Sequence, residues 1–213
     1  MDVRMLTVGP VQENCFLLRR DGSDRALIVD PGEEAPKLLA AIEGLGVQLD
    51  AILLTHCHFD HVGAVAPIAR ATGAPVYCPK LEVPVLQDIM AFVPWPGFGP
   101  YESWDPEHTV EGGERLQLAG FDVEVLFTPG HSPGHVTYAI EDEGALFSGD
   151  VLFQSSIGRT DLPGGDHPTL LRSIAVLLDR FGDETVVHPG HMGITTLGRE
   201  RATNPFLHEL PRV

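Results

Sequence analysis

The sequence predicts an α/β layered domain, and three observations carry that reading. Short apolar, β-branched runs are bounded by Gly, Pro and Asp; helical apolar periodicity separates some of them; and His and Asp residues crowd the turns that follow the apolar runs. In chain order, runs at 3–8, 14–18 and 26–29 read as strands, followed by a helical pattern from Glu34 to Ile42. A strand at 51–54 precedes a second helical pattern, Val62 to Ala71, and one at 75–77 precedes a third, Lys80 to Met90. Pro36, Pro67 and Pro84 place the start of each helix later than its first residue. Strands at 121–127, 136–140 and 144–148 come next. In the helix Thr169 to Arg180, Leu170, Leu171, Ile174, Leu177 and Leu178 recur at helical spacing and form one buried face. A strand at 185–187 completes the pattern.

The segment 91–108, AFVPWPGFGPYESWDPEH, is different in kind. Its prolines and glycines break regular structure while Phe92, Trp95, Phe98, Tyr101 and Trp104 add bulk, so it reads as a long structured loop. It either covers the site as an apolar wall, packs on the body or forms a subunit contact. At 213 residues the chain fits one large domain, 1–213.

Composition excludes several classes. A net charge of -16 is wrong for a nucleic-acid surface, which needs Lys and Arg against phosphates. The longest apolar runs fall far short of the roughly 20 residues of a membrane helix. The N-terminus carries Asp2, Arg4 and Glu13 where a signal peptide has a basic start and an apolar stretch. Three cysteines, Cys15, Cys57 and Cys78, lack CxxC pairing, and together these features fit a reducing cytoplasm.

The chemistry concentrates in LTHCHFDHVGA, where His56, His58, Asp60 and His61 follow the apolar run 51–54. On a helix, residues two apart point to nearly opposite sides. On an extended strand His56, His58 and Asp60 share a face, but neighbours stand roughly 6.6 Å apart. One zinc needs ligand atoms about 2 Å from itself. The segment therefore reads as a curled loop, with a helix beginning soon after Val62. A single His at a strand end is commonly structural, but four such groups together need shared cations to satisfy them. Three later turns repeat the pattern, VLFTPGHSPGH, ALFSGD and TVVHPGH, and supply His131 or His135, Asp150, and His188 or His191.

HCHFDH resembles the HxHxDH signature of the metallo-β-lactamase fold, and TPGHSPGH, FSGD and PGH resemble its later ligand motifs in order. The likeness runs from GPVQENC and IVDPG to RATNPFL. It implies an αβ/βα four-layer sandwich with one metal held by His56, His58 and His131. A second is implied at Asp60, His61 and His191, with Asp150 bridging and Asp60 and Asp150 as the catalytic carboxylates. His135 and His188 are left out, and His135 reads as structural or as supporting a ligand. The implied cofactors are two divalent ions, zinc first, with iron or manganese as alternatives.

Two cations about 3.5–4 Å apart can share a water, lower its pKa and polarise a carbonyl. Hydrolysis of an activated acyl group follows. GDVLFQSSIGRTDLPGGD and TTLGRERATNPFL resemble the short glyoxalase II-like group, whose members act on hydroxyacyl-glutathione, so the expected partner is a small-molecule thioester. Only residues 192–213 follow His191, where full-length glyoxalase II enzymes carry a C-terminal helical domain. One alternative uses His56, His131 and Asp150 as a two-His, one-carboxylate iron site, as in persulfide dioxygenases of this fold. Another is a metal-binding sensor or scaffold without catalysis. A β-lactamase ranks below the hydrolase because Asp150 resembles the bridging ligand of the hydrolase branch.

Other residues have two readings each. Gly130-His131-Ser132-Pro133-Gly134 matches the GxSxG elbow, but that elbow needs a helix after the serine and Val136 to Ile140 reads as a strand. Arg159 either meets an anionic substrate or anchors the 150–168 loop by a salt bridge. Cys57 points away from its flanking histidines into the interior if the loop is locally extended. Asp161, Asp166 and His167 read as caps of turns and of the helix starting near Pro168.

Overall fold

The computed structural model describes residues 1–210. Two six-stranded sheets face each other. The first has the order β1 (Asp2–Val8), β2 (Glu13–Arg19), β3 (Arg25–Val29), β4 (Gln48–Leu53), β5 (Val76–Pro79) and β6 (His108–Val110). The second contains β7 (Arg115–Leu118), β8 (Phe121–Phe127), β9 (Val136–Ile140), β10 (Ala145–Gly149), β13 (Val186–Pro189) and β14 (Thr195–Thr196), in the order β14-β13-β10-β9-β8-β7. A small hairpin, β11 (Leu152–Phe153) and β12 (Ser156–Ile157), stands apart.

Strand alternation builds the layers, because successive side chains leave opposite faces of a sheet. In β2, Phe16 and Leu18 join Leu27, Val29 and Leu53 against Phe121, Tyr138 and Phe147 of the other sheet. Cys15 and Leu17 face the opposite way, with Ile28 and Ile52, onto helices α1 (Ala35–Leu45) and α3 (Val65–Thr72). On the far side Ala139, Leu146 and Val187 meet Leu170, Ile174 and Leu177 of α6 (His167–Arg180). Helix, sheet, sheet and helix make the expected four layers. Both faces of the central strands are covered, so those strands are apolar throughout rather than alternating.

Several expectations need correction. A one-turn helix α2 (Phe59–Val62) precedes α3, so helix begins before Val62 rather than after it. The expected helix from Lys80 to Met90 is broken into a 3-10 turn at Lys80–Glu82, α4 (Val83–Gln87) and α5 (Ile89–Phe92). Asp88 leaves helical geometry at φ -148°, ψ 61°, between α4 and α5. Strands β6, β7, β11, β12 and β14 and helix α7 (Leu197–Thr203) were not foreseen, being too short to show a period.

The topology gathers the functional loops at one edge. β3 and β4 are parallel, β10 and β13 are parallel, and β8 runs with β10 because both are antiparallel to β9. The turns after these five strands carry Asp30, His56 to His61, His131, Asp150 and His191. Backbone bonds join the two sheets there: Val136 N–H donates to the Thr55 carbonyl at 2.9 Å and Asn14 N–H to Gly190 at 2.7 Å. No helix of the described residues is long and apolar enough to cross a membrane.

Candidate metal centre

The HCHFDH segment is half extended and half helical. His56 and His58 share one face of the extended part, while Cys57 turns into the core with its Sγ 3.5 Å from that of Cys78. His58 is extended (φ -61°, ψ 146°) at the start of α2, whose single turn carries Asp60 and His61. His56 reaches inward through Nε2 and His58 through Nδ1, and the unequal reach lets two residues of one strand face meet at 3.1 Å.

His131 Nε2 completes a triangle, 2.8 Å from His58 Nδ1 and 3.2 Å from His56 Nε2. The hydrogen bonds behind the rings decide what this triangle contains. His131 Nδ1 donates to the Arg159 carbonyl at 2.7 Å, so a neutral ring is bare at Nε2. The Thr55 hydroxyl donates to Asp30 Oδ2 at 2.6 Å and accepts from His56 Nδ1 at 3.0 Å, so His56 is also bare at Nε2. Two lone pairs thus face each other, and a cation between them relieves the repulsion. A tetrahedral zinc with Zn–N near 2.0–2.1 Å needs nitrogens about 3.3 Å apart, close to the triangle found here.

A second group lies beside the first. His61 Nδ1 donates to Asp30 Oδ2 at 3.0 Å, so a neutral ring is bare at Nε2, an atom that is buried and without a hydrogen-bond partner. That atom stands 3.4 Å from Asp150 Oδ1, itself buried and unpartnered. His191 Nε2 lies 3.3 Å from Asp60 Oδ2. Asp150 Oδ2 lies between the groups, 3.4 Å from His131 Nε2 and 3.6 Å from His191 Nε2. Ligand atoms of His56, His58 and His131, and of Asp60, His61 and His191, converge closely enough to hold metal ions. These orphaned buried atoms, with bare nitrogens aimed at carboxylates, fit two cations.

The electrostatics differ between the groups. Burial holds His56 well below the ordinary imidazole pKa and lowers His58 to about 4, with neighbouring histidines adding to it. Burial would also lower His61 and His191, but Asp150 and Asp60 outweigh it and raise both. Burial opposes the charged forms of Asp60 and Asp150, yet His61 and its neighbours hold both carboxyls below their ordinary range.

Supporting residues complete the centre. His135 lies outside both groups: its Nε2 accepts from the Asp150 N–H at 3.1 Å and its Nδ1 contacts the Thr128 hydroxyl at 3.1 Å. His188 stacks on Phe147, ring centroids 4.7 Å apart, and does not enter the centre. Gly190 permits close approach, since a Cβ there would stand 2.3 Å from Asp150 Oδ1. In the tail, Asn204 Nδ2 donates to the Ser156 carbonyl and to Glu200, both at 2.9 Å, and so ties the 150–157 loop to α7.

Asp30 and Glu82 were missed by the reading from sequence. Asp30 follows an apolar strand in IVDPG, the signal that marked the other ligand turns. Glu82 had no such signal. Its buried carboxylate accepts from Ser132 Oγ at 2.8 Å, Gly134 N–H at 2.7 Å and Cys57 N–H at 3.3 Å, clamping the His56–His58 and His131 loops together. Ser132 therefore serves the loop, and a strand follows it as expected. Arg159 is gripped by Asp161 at 2.7 and 2.8 Å, and Asp166 caps α6 by accepting from Thr169 N–H at 2.9 Å.

A family model described as the Metallo-beta-lactamase superfamily matches residues 8–191, a span that ends on His191. The chain belongs to the metallo-β-lactamase superfamily. Within this superfamily it is similar to hydroxyacylglutathione hydrolase GloC of Haemophilus influenzae, at 37% identity over 215 residues, covering 98% of this chain and 99% of the relative. Among solved structures it is similar to the BLEG-1 B3 metallo-β-lactamase, at TM-score 0.91 and 41% identity, covering 97% and 99% of the two chains. It is also similar to TTHA1623 in a di-iron-bound form, at TM-score 0.87 and 45% identity, covering 96% and 100%. The chain is thus a metallo-hydrolase of the metallo-β-lactamase superfamily, with a His and Asp cluster able to bind metal ions.

Proposed function

We propose that this protein hydrolyses acyl thioesters at a binuclear metal centre, in the manner of the glyoxalase II-like group. The observation that carries the reading is Asp150, whose two oxygens face His131 and His191 on one side and His61 on the other at 3.4–3.6 Å. Two bound ions would supply a Lewis acid for the thioester carbonyl and a water of lowered pKa. His56, His58 and His131 would hold one ion, Asp60, His61 and His191 the other, and Asp150 both. Zinc is the first expectation and the likeness to a di-iron structure keeps iron in view.

The chain's own groups set the geometry. Asp60 and Asp150, held below the ordinary carboxyl range, stay ionised at neutral pH and offset cation charge rather than shuttle protons. Asp30 fixes the His61 tautomer directly and that of His56 through Thr55. Leaving-group chemistry supports a thioester over a lactam. A thiolate of ordinary pKa, about 8.5, departs unaided, whereas a departing amine must be protonated. Among the described cleft residues outside the centre, Ser132 donates to Glu82 and Arg159 is held by Asp161, and neither is placed as that acid.

A mononuclear iron reading needs open positions beside His56, His131 and Asp150. The second group, Asp60, His61 and His191, converges beside Asp150 and supports the two-metal reading instead. The test loads the protein with zinc or iron and measures thiol release from S-lactoylglutathione and simple acyl thioesters. A chromogenic β-lactam and oxygen uptake with glutathione persulfide serve as comparators. Thiol release is the expected result. Oxygen uptake without it would favour the dioxygenase, and no turnover with both metals bound would leave a binding protein.

A further inference from the structure

The centre opens into a cleft of about 760 Å³ whose lining is dominated by apolar side chains. Its lining includes Phe92 of α5 and Trp95 of the aromatic segment after it, together with Phe153 and Ile157 of the small hairpin. Phe59, between His58 and Asp60, forms part of the wall, and Met192 follows His191 at the rim. The aromatic segment is fastened to this wall, with Phe98 4.8 Å and Trp95 6.1 Å from the Phe59 ring. Yet Phe92, Trp95 and Met192 remain 54%, 41% and 54% exposed. Large apolar side chains kept in solvent around a pocket that ends on reactive groups mark a ligand surface.

The charges of the cleft point the same way. Apart from the histidines of the centre, Arg159 is the one basic residue among its described lining residues. Its Nε and Nη2 are held by the Asp161 carboxylate at 2.7 and 2.8 Å, and it lies over the Trp95 ring at 5.6 Å. Glu82 also lines the cleft. An anion would share Arg159 with the Asp161 carboxylate while approaching a protein of net charge -16, whose field slows anionic ligands. A glutathione thioester brings two carboxylates, and the described lining residues offer no Lys and a single Arg that already has a carboxylate partner.

We infer that the cleft selects uncharged thioesters bearing one bulky apolar arm, of aryl or branched-chain size, held against Phe92, Trp95, Phe153 and Ile157, in preference to anionic glutathione thioesters. This rests on the thioesterase reading above and names its substrate class. The Arg159–Asp161 pair serves as part of the wall, with the guanidinium spread on Trp95, and not as an anion receptor.

The test compares three substrates on the zinc-loaded protein: S-lactoylglutathione, the phenylacetyl thioester of N-acetylcysteamine, and the lactoyl thioester of 2-phenylethanethiol. The second carries the apolar arm on the acyl side and the third on the thiol side. At least one of them should exceed S-lactoylglutathione by about tenfold in kcat/KM, the worth of one good aromatic contact. Trp95→Ala should remove that advantage, raising KM for the preferred ester while kcat holds. Raising ionic strength should lower KM for S-lactoylglutathione and leave the uncharged ester unchanged.

Binding gives a readout independent of turnover. In a Trp104→Phe background Trp95 is the remaining tryptophan. A non-hydrolysable 2-phenylethyl thioether should quench its fluorescence, and S-methylglutathione should not. Equal or better kcat/KM for S-lactoylglutathione, or quenching by S-methylglutathione alone, would overturn the inference and leave the hydrolase reading standing. If no thioester is hydrolysed with both metals bound, the hydrolase reading fails; the fluorescence titration then decides the apolar site by itself, and no quenching by the thioether would overturn it.

Discussion

Replacing Asp30 by Asn tests the support of the centre without touching an assigned ligand. Asp30 Oδ1 accepts from Thr55 N–H at 2.7 Å, and Oδ2 accepts from the Thr55 hydroxyl at 2.6 Å and from His61 Nδ1 at 3.0 Å. An amide keeps only one acceptor oxygen. With that oxygen on Thr55 N–H, the new NH2 group faces His61 Nδ1, and the His61 proton must move to Nε2, the atom aimed at Asp150. With the oxygen reversed, two donors meet at Thr55 N–H. Either arrangement leaves a buried polar conflict of about 1–3 kcal/mol. Loss of the partner that orients a metal-binding histidine costs about 10–100-fold in metal affinity, or about 1.4–2.7 kcal/mol, which is the same order. The backbone itself should not change, because Asp30 sits at φ 48° and Asn tolerates that left-handed region as well as Asp does. Competition with a chromophoric chelator should therefore show about 10–100-fold weaker binding in Asp30→Asn, chiefly for the ion at Asp60, His61 and His191. Circular dichroism should show an unchanged fold. Two equivalents bound within twofold of the wild-type affinities would refute the reasoning.

Further outcomes follow from the same geometry. Gly190→Ala would place a Cβ 2.3 Å from Asp150 Oδ1 and 2.7 Å from His61 Cε1, so it should displace the Asp150 carboxylate and cost about 100-fold in kcat, the scale of a 1 Å misplacement. Wild-type kcat in that variant would show that Asp150 does not need its observed position. Acid should empty the centre in two steps. Metal binding requires neutral imidazole, and the raised pKa values of His61 and His191 let protons compete there as pH falls. Burial depresses His56 and His58, so the other ion should be released at the lower pH. Elemental analysis after dialysis at stepped pH should record one ion lost before the other, and simultaneous loss would contradict the asymmetry.

The layered fold and the ligand turns were legible because each signal was local. His56, His58, Asp60, His61, His131, Asp150 and His191 all follow apolar strands, and the structure brings them to one sheet edge. Position in the motifs also separated His131 from His135 and His191 from His188; in the structure His135 Nε2 accepts from the Asp150 N–H and His188 stacks on Phe147. Glu82 was illegible because its partners Ser132 and Gly134 lie some fifty residues away and meet it only through the fold. Asp30 carried the right signal but was read only as part of IVDPG. The two-residue strands β11, β12 and β14 offer no period to detect, and the Lys80 to Met90 pattern did not reveal the break at Asp88. The aromatic segment needed tertiary contacts to be understood, since it both packs on Phe59 and walls the cleft.

A binuclear centre would hold two ions per chain, and metal stoichiometry in paired proteins measures this. Wild-type protein and His191→Ala, each saturated with zinc and freed of excess metal, would be compared by elemental analysis against chain concentration. About two ions per chain are expected in the wild type and about one in the variant, with the ion at His56, His58 and His131 retained. One ion per chain in both proteins would contradict a binuclear centre.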